Sequence, residues 1–224
     1  MAAVVPIDLY SDVVCPWCFL GKRRLEAALR ARPAIPVAVR WRPFELNPDM
    51  AAGGADRREY LAHRFADAAS LAQAHRRLVE LGREAGIEYR FEAIARVPNT
   101  RAAHALVALA GDRAGAVVEG LFRAYFEEAR DVGDLDVLTA IAAAAGLDAA
   151  AVRPRLVAGE GRAEIAEQEL EARRLGVNGV PLFVFAGRWA VSGAQDAATL
   201  VTALDRVAAE LARPGPGAAA TGPR

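Results

Sequence analysis

The sequence is poor in the residues that build metal centres and disulfide frameworks. Its 224 residues include only two cysteines and three histidines. Two cysteines allow at most one disulfide within the chain, so a fold held by several bridges is excluded. A structural zinc site needs four ligands in most cases, and no pair among His63, His75 and His104 has the spacing of a zinc finger.

An excess of charge of one sign is also absent. Lys and Arg number 28, Asp and Glu number 28, and the formal net charge is zero. The chain therefore shows no electrostatic footprint for nucleic acid or for an anionic membrane surface. Its arginine-rich stretches are interleaved with Glu and Ala, as at Arg23, Arg24 and Glu26, and this pattern predicts solvated helix faces.

Long apolar runs are missing as well. No segment offers the roughly 18 uninterrupted apolar residues that a membrane-spanning helix requires. The first apolar run, residues 4–10, contains Pro6 and Asp8, which argues against a secretory signal peptide. We therefore expect a cytoplasmic protein whose partners include neither a membrane nor a nucleic acid, and which is a monomer or a homodimer.

The chain does have one concentrated chemical feature, the four residues Cys15, Pro16, Trp17 and Cys18, which hold both cysteines. They follow a Val- and Ile-rich run and precede a helical pattern that starts near Phe19. In the cytoplasm a cysteine pair is more often catalytic or metal-bound than structural. The free N–H groups and positive dipole end of a helix favour a thiolate, which is the reactive form of cysteine.

This arrangement predicts thiol–disulfide chemistry with a division of labour. Cys15 is the expected nucleophile, and Cys18, one turn further along and less exposed, is expected to attack the mixed disulfide and release the substrate. Pro16 suits the first helical position, and the pair of Pro16 and Trp17 sets how strongly the thiolate is stabilised. Covalent haem attachment would require a histidine where Phe19 stands.

The order of apolar patterns predicts an α/β fold. A strand, a helix that ends before Pro33, and a second strand form a right-handed parallel unit. A long helical region follows, and the chain closes with a hairpin and an amphipathic helix. The expected segments are strands 4–10, 37–44, 180–185 and 188–191, helices 19–30 and 197–211, and helices between 56 and 175.

This order is that of a thioredoxin-like core with a large all-helical insertion. We place the core in residues 1–52 and 160–212 and the insertion in residues 53–159. The helical region is expected to break near residues 86, 97–98, 111–112, 131–133, 146 and 159, and Asp134 and Asp148 are plausible N-caps. Residues 213–224, rich in Pro and Gly, are expected to be a disordered tail.

Residues 11–26, which enclose the cysteine pair, resemble the active-site segment of DsbA-family thioredoxin-like oxidoreductases of the cytoplasmic FrnE-like branch. Further matches are Asn99 and Thr100 with His104, and residues 121–126, 176–181 and 191–195. The chain is also similar to 2-hydroxychromene-2-carboxylate isomerases and kappa-class glutathione transferases. Those enzymes usually carry a serine where this chain has Cys15, and they lack the second cysteine.

The resemblance implies a cis peptide bond before Pro181, which is expected to face the cysteine pair. The backbone of Val180 would then be free to pair with an extended substrate. The alternative is an ordinary proline at the start of a strand.

The resemblance also implies binding roles for two polar segments. In the glutathione-using relatives, residues placed like Asn99 and Thr100 lie near the active site, and residues placed like Gln195 and Asp196 bind the γ-glutamyl end of glutathione. Helix capping is the competing interpretation for all four. His63, His75 and His104 have no paired acid at a recognisable spacing, so we expect surface or packing roles for them.

The leading hypothesis is an enzyme of the protein-disulfide oxidoreductase and isomerase class. It would reduce, isomerise or oxidise protein or small-molecule disulfides, with no tightly bound cofactor and with glutathione as a possible redox partner. One alternative is a glutathione-dependent isomerase or transferase of small aromatic substrates, and another is a non-enzymatic holdase chaperone. Retention of both cysteines counts against the first alternative, and nothing in the sequence requires the second.

Overall fold

The first strand of the chain is an inner strand of the sheet and contributes to the core. The computed structural model describes residues 3–65 and 67–212. Strand β1 (Val5–Ser11) sends Val5, Ile7 and Leu9 into the core, because alternate side chains of a strand point to opposite faces. Helix α1 (Pro16–Arg30) follows, and β2 (Val37–Pro43) returns parallel to β1. The predicted parallel unit is confirmed.

The sheet is completed from the other end of the chain. Strands β5 (Leu182–Phe185) and β6 (Trp189–Ser192) form the predicted hairpin, and β5 pairs antiparallel with β1. The strand order is β2-β1-β5-β6. Helix α9 (Ala197–Leu211), whose bounds match the prediction, packs beside α1 on one face of this sheet. The α/β class is therefore confirmed.

Most of the helices lie between β2 and β5 in the chain. They surround a second core, in which the aromatic side chains of Phe19, Phe122 and Phe126 stack on one another. Two 3-10 helices interrupt this region, at Phe91–Ala93 and Gly111–Arg113. The helices are α2 (Arg57–Arg64), α3 (Ala68–Glu84), α4 (Arg101–Leu109), α5 (Ala114–Phe126), α6 (Leu135–Ala144), α7 (Ala149–Val157) and α8 (Arg162–Arg174).

The caps of the inserted helices agree with local sequence signals. Asp134 and Asp148 accept hydrogen bonds from the first free N–H groups of α6 and α7, as predicted. The helical insertion is confirmed, although it also holds a short antiparallel pair, β3 (Ala55–Asp56) with β4 (Arg96–Val97). This pair was missed because two residues carry no recognisable strand pattern.

Two predictions concern the boundaries between core and insertion and the C-terminal tail. The division of the chain at residues 52/53 and 159/160 stays a prediction. The expected disordered tail, residues 213–224, lies outside the described residues.

Within residues 3–65 and 67–212, no helix combines the length and the apolar character that crossing a bilayer demands.

Candidate active site

Cys15 stands at the junction between β1 and α1. It is the N-cap residue of α1 and has an extended backbone, while Pro16 begins the helix, as predicted. The Cys15 carbonyl accepts hydrogen bonds from the backbone N–H groups of Cys18 at 3.0 Å and Phe19 at 3.3 Å. The helix start therefore fixes both cysteines on the first turn, and both are free thiols.

The two thiols differ in exposure in the expected order, but both are buried. Cys15 is 4% exposed and Cys18 is 1% exposed, whereas Trp17 between them is 37% exposed. The Cys15 Sγ donates a long hydrogen bond to the carbonyl oxygen of Val180, at 3.7 Å. The accessible edge of the motif is thus formed by Trp17, with Cys15 immediately behind it.

The strand that faces Cys15 starts with a cis proline. The Val180–Pro181 peptide bond is cis, as the resemblance implied. The Pro181 carbonyl accepts a hydrogen bond from the Gly193 N–H at 2.8 Å, which ties the start of β5 to the end of β6. The structure therefore brings together Cys15, Cys18, Val180 and Pro181.

Gly21 allows helix α1 to approach Pro181 closely. A Cβ atom at Gly21 would lie 3.0 Å from the Pro181 Cγ and 3.2 Å from the Phe183 Cζ. Any larger residue would push the helix that carries the cysteines away from the strand that faces them. Sequence reasoning missed this role, although a glycine inside a helical stripe is the kind of signal that points to close packing.

Cys18 is surrounded more tightly than Cys15. Burial raises the pKa of the Cys18 thiol well above its usual value, and the adjacent Cys15 raises it further. The Ser11 hydroxyl and the backbone N–H of Asp12 oppose this rise, because both favour the thiolate. The Ser11 Oγ nevertheless makes no hydrogen bond of regular geometry.

Tyr89 supports the motif from the helical side. Its hydroxyl donates a hydrogen bond to the Pro16 carbonyl oxygen at 2.6 Å, and its ring meets Phe19 edge-on at 6.1 Å between centroids. Burial raises the pKa of the Tyr89 hydroxyl, so it stays a donor at neutral pH. Tyr89 was not among the expected site residues, because nothing in the local sequence links it to Pro16.

His104 has an acidic partner that its spacing in the sequence did not reveal. The His104 Nε2 lies 3.4 Å from the Asp12 Oδ1, and both side chains are buried. The other carboxyl oxygen of Asp12 accepts a hydrogen bond from the Leu46 N–H at 2.8 Å. The pairing was missed because α4 approaches the end of β1 only in the folded chain, so sequence spacing gave no signal.

A cavity of about 350 Å³ adjoins this pair and is lined in part by Ser11 and His104. The Ser11 Oγ, the Asp12 Oδ1 and the His104 Nε2 are buried and have no hydrogen-bond partner among the described residues. Unpaired buried polar atoms are costly unless water reaches them. This cavity is therefore suited to hold water behind the cysteine pair.

A second buried acid lies at the end of β2. Glu45 is 1% exposed, and its carboxyl pairs with the Arg101 Nε at 3.1 Å. Its backbone N–H donates a hydrogen bond to the Glu169 carboxyl. Burial, reinforced by the charge of Glu169, raises the pKa of Glu45 to about 7, although Arg101 and His104 oppose the rise.

One charged stretch of α1 is not a solvated face as expected. Lys22 is buried and bridges the carboxyls of Glu26 and Glu119, the latter at 2.7 Å. Arg23 also pairs with Glu119, at 2.5 Å. Arg24 instead donates a hydrogen bond to the Ala194 carbonyl at 2.5 Å. These contacts join α1 to α5 and to the segment after β6, so the charged side chains of this stretch hold α1 against its neighbours.

The expected binding segments behave mainly as caps. Asn99 accepts a hydrogen bond from the Arg101 N–H and donates one to the Met50 carbonyl at 2.7 Å, while Thr100 is buried. Gln195 donates to the Ser192 carbonyl, and Asp196 accepts from the Thr199 N–H. The Asn99 amide reaches Met50, 49 residues away in the chain, whereas the hydrogen bonds of Gln195 and Asp196 stay local. Thr100 is the N-cap of α4, but its side chain makes no capping hydrogen bond. A role in substrate binding remains a prediction.

The remaining candidates do not form a metal site. Among residues 3–65 and 67–212 no group of three or more His, Cys, Asp and Glu side chains is arranged to hold a metal ion. His63 is exposed at the end of α2, and His75 stacks on Phe91. Tyr125 and Phe126 are buried in the helical core.

Comparison with known proteins gives these features a context. Residues 6–205 match the family model of the DSBA-like thioredoxin domain. A probable DsbA oxidoreductase from Streptomyces coelicolor, known from its crystal structure, is 34% identical in sequence. That match covers 92% of this chain and 91% of that one, with a TM-score of 0.82.

Two more distant structures share the fold. A 2-hydroxychromene-2-carboxylate isomerase superposes with a TM-score of 0.70 at 22% identity, over 93% of this chain and all of that one. The cytosolic disulfide reductase DsbM from Pseudomonas aeruginosa, solved with glutathione, superposes with a TM-score of 0.61 at 20% identity. That match covers 92% of this chain and 96% of that one.

Proposed function

The chain belongs to the DSBA-like thioredoxin domain family, and on that premise we propose that it is a thiol–disulfide oxidoreductase that works through Cys15 and Cys18. The observation that carries this proposal is the contact between Cys15 and Val180, the residue before the cis proline that leads into β5. The Cys15 Sγ lies 3.7 Å from the Val180 carbonyl oxygen, at the start of a helix and beside the exposed Trp17. A thiol in this position can meet a disulfide that arrives along the strand edge.

In the reducing direction the first step belongs to Cys15. Its thiolate attacks one sulfur of the substrate disulfide, the substrate S–S bond breaks, and the departing sulfur takes up a proton as it becomes a thiol. A mixed disulfide now joins Cys15 to the substrate. Cys15 stands at the N-cap of α1, the end of the helix that carries partial positive charge.

The second step belongs to Cys18. Its thiol loses a proton and attacks the Cys15 sulfur, the mixed disulfide breaks, and the second substrate sulfur leaves as a thiolate that is then protonated. Two electrons have then passed from the enzyme dithiol to the substrate, and a Cys15–Cys18 disulfide remains. Two thiols of the glutathione class restore the dithiol: the first opens the Cys15–Cys18 disulfide to a mixed disulfide, and the second attacks this mixed disulfide and leaves with the first as one disulfide.

We assign the protein to the cytoplasm and to disulfide reduction or isomerisation, with glutathione as the reducing partner. The support is the fold shared with the cytosolic disulfide reductase DsbM, a structure that holds glutathione. In a reducing compartment the dithiol form predominates, which favours reductase or isomerase work. The substrates in this proposal are protein or small-molecule disulfides.

Replacement of the proposed nucleophile tests the function. Cys15→Ser is expected to abolish reduction of a disulfide substrate such as oxidised glutathione or insulin, because serine forms no mixed disulfide. Ser70→Ala is a suitable control, since Ser70 is exposed on α3. Full activity in Cys15→Ser would overturn the proposal.

The same assay separates the glutathione-dependent isomerase alternative. That chemistry uses the sulfur of the cofactor and one position of the motif, so it does not need Cys18. Turnover of a small aromatic substrate that survives Cys18→Ser, together with loss of disulfide reduction, would favour the isomerase. The likeness to an isomerase at 22% identity, like that to DsbM at 20%, concerns the fold, so the cysteine variants decide between the two activities.

A further inference from the structure

Helices α2 and α3 face each other across a groove, although neither fills it. Helix α2 buries none of its side chains, and the buried residues of α3, Leu78, Leu81 and Gly82, belong to its other side. The space between the helices and residues 89–94 measures about 1060 Å³. We call this space the α2–α3 groove; Arg57, Leu61, Leu71, His75, Val79 and Phe91 are among the residues that line it.

The floor of the α2–α3 groove is a stack of three rings. His75 lies parallel to Phe91, with 4.3 Å between the ring centroids, and Tyr89 lies parallel to Phe91 at 4.9 Å. Tyr89 and Phe91 are buried, whereas His75 is half-buried. The stack therefore presents aromatic surface to the groove, and another flat ring can pack against such a surface.

A cation without an ion-pair partner lies above this floor. The Arg57 guanidinium is 5.9 Å from the centroid of the Phe91 ring, and its Nη1 donates a hydrogen bond to the Phe91 carbonyl at 2.8 Å. Arg57 is half-buried; this burial lowers the pKa of its guanidinium, and Tyr125 and Glu92 oppose the shift. No carboxylate among residues 3–65 and 67–212 forms an ion pair with Arg57. A half-buried guanidinium in this position can pair with a bound carboxylate.

The rim of the groove carries charges of both signs, with more positive than negative side chains. Arg58, Arg76 and Arg83 are exposed along it, and so are the acids Glu80 and Glu92. Glu80 is paired with Arg77, at 3.7 Å. The lining is therefore apolar at the floor and positive on balance at the edge, which is complementary to a molecule with one flat apolar part and one negative charge.

We propose that the α2–α3 groove binds a small aromatic carboxylate, with the aromatic part against His75 and the carboxylate on Arg57. The guanidinium fork of arginine matches the two oxygens of a carboxylate. The groove volume lies just above the usual range of small-molecule sites, so the choice of a small ligand rests on the ring stack and on Arg57.

Tyr89 links this groove to the redox site. It lines the groove and donates its hydroxyl hydrogen to the Pro16 carbonyl, within the motif that holds both cysteines. An aromatic carboxylate that also carries a thiol or a disulfide is therefore the substrate class that the two sites can share. This last step rests on the proposed function, whereas binding in the groove does not.

Calorimetry with the full chain and two matched probes tests the proposal. 2-Naphthoate is expected to bind at least about tenfold more tightly than the neutral 2-naphthamide, because only the acid pairs with Arg57. Arg57→Met should remove this preference, and Arg188→Met, at an exposed arginine of the hairpin turn, should keep it. Equal binding of acid and amide to the unmodified protein would overturn the proposal.

A second variant keeps the test decisive if Arg57→Met does not fold. Ala72→Trp places a large side chain in the groove and leaves every arginine in place, so it should abolish naphthoate binding. Unchanged binding in Ala72→Trp would contradict the assigned location. Binding of a peptide with a C-terminal phenylalanine, without binding of naphthoate, would contradict the small-molecule assignment.

Cys15→Ser separates this inference from the proposed function. Naphthoate should bind that variant as it binds the unmodified protein, because the groove contains neither cysteine. Loss of disulfide reduction with retained naphthoate binding supports both proposals. Retained reduction with retained binding overturns the redox assignment alone, and absent binding in every variant overturns the groove alone.

Discussion

The two cysteines lie on the same helical turn, yet the regions on either side of them are built differently. The Cys15 thiol contacts a backbone group, the carbonyl of Val180, which precedes a cis proline, and Cys15 stands at the N-cap of α1. Cys18 lies on the side of the buried polar side chains of Ser11, Asp12 and His104. We call these the front and the rear of the site.

This difference indicates how the two cysteines of one motif can have different tasks. Backbone groups accept many substrates, because every peptide-like segment offers the same donors and acceptors. Ionisable side chains in a buried pocket instead affect where protons reside, and burial raises the pKa of the Cys18 thiol that must lose one. The front is therefore suited to recognition, and the rear to stability and protonation.

The largest expected effect comes from Cys18→Ser, which removes the rear thiol and leaves the front intact. Cys15 should still attack a disulfide, but the mixed disulfide should persist, because release then depends on an external thiol. We expect the release rate to fall by at least about a hundredfold, given the advantage of an intramolecular nucleophile. Mass spectrometry of the trapped adduct and stopped-flow kinetics measure the two steps. If the substrate is released at the rate of the unmodified protein, Cys18 is not the residue that resolves the mixed disulfide.

Asp12→Ala is expected to be the most damaging change at the rear for stability. It leaves the His104 Nε2 and the Leu46 N–H without the carboxyl that now lies beside them. The Leu46 N–H loses its charged acceptor, which predicts a loss of about 1.5 to 3 kcal/mol in the free energy of unfolding. Urea denaturation measures it, with Asp49→Ala, at an exposed loop residue, as the control. A loss no greater than that of the control would show that water already satisfies these groups.

Glu45 should make stability depend on pH in a defined direction. Its pKa is about 7 in the folded chain, against an ordinary value of 4.5, so the folded state holds the proton more tightly than the unfolded state does. The free energy of unfolding from this group is therefore highest below pH 4.5 and falls as pH rises towards 7. The expected fall is of the order of 2 to 3 kcal/mol.

Glu45→Gln should remove that fall, because glutamine does not titrate. Denaturation midpoints between pH 4.5 and 7.5 measure the slope, and Glu84→Gln, at an exposed position near the end of α3, is the matched control. If the slope is the same in Glu45→Gln and in the unmodified protein, the pH dependence arises elsewhere.

Local signals predicted the helices and the hairpin around the front of the site, whereas the cis bond before Pro181 was implied by the family resemblance and the contact of Cys15 with Val180 joins residues 165 apart in the chain. The start of α1 at Pro16 follows from the fixed φ of proline and its missing N–H, and the caps Asp134 and Asp148 follow from side chains that reach only their own helix. The hairpin and α9 follow from turn residues and periodicity. In each case the interaction that fixes the structure lies within a few residues of the chain.

The rear of the site, and the other buried charged pairs around it, could not be predicted in this way. Asp12 meets His104, and Glu45 lies beside Glu169, only because α4 and α8 pack near the ends of β1 and β2. Lys22 has the sequence surroundings of a surface residue, yet it is buried beside Glu119. Pairings of this kind depend on which helix face turns inward, and periodicity alone does not specify the partner.

The smallest effect that we expect concerns the fit between the front and the helix. In Gly21→Ala the new methyl group would lie 3.0 Å from the Pro181 Cγ and 3.2 Å from the Phe183 Cζ, so either α1 or β5 must shift. Alanine favours the helix by up to about 1 kcal/mol, and the overpacking costs about 1 to 3 kcal/mol. The net expected loss is about 1 to 2 kcal/mol in the free energy of unfolding.

The same shift should slow the attack of Cys15 on a disulfide, because the Cys15 Sγ then moves relative to the Val180 carbonyl. Gly115→Ala is the matched control, since a Cβ atom there meets no neighbour within 4 Å. Chemical denaturation and the rate of mixed-disulfide formation give the two readouts. Equal rates in both variants would mean that the front tolerates displacement of Pro181, and its role would then be to exclude water from the cysteine pair.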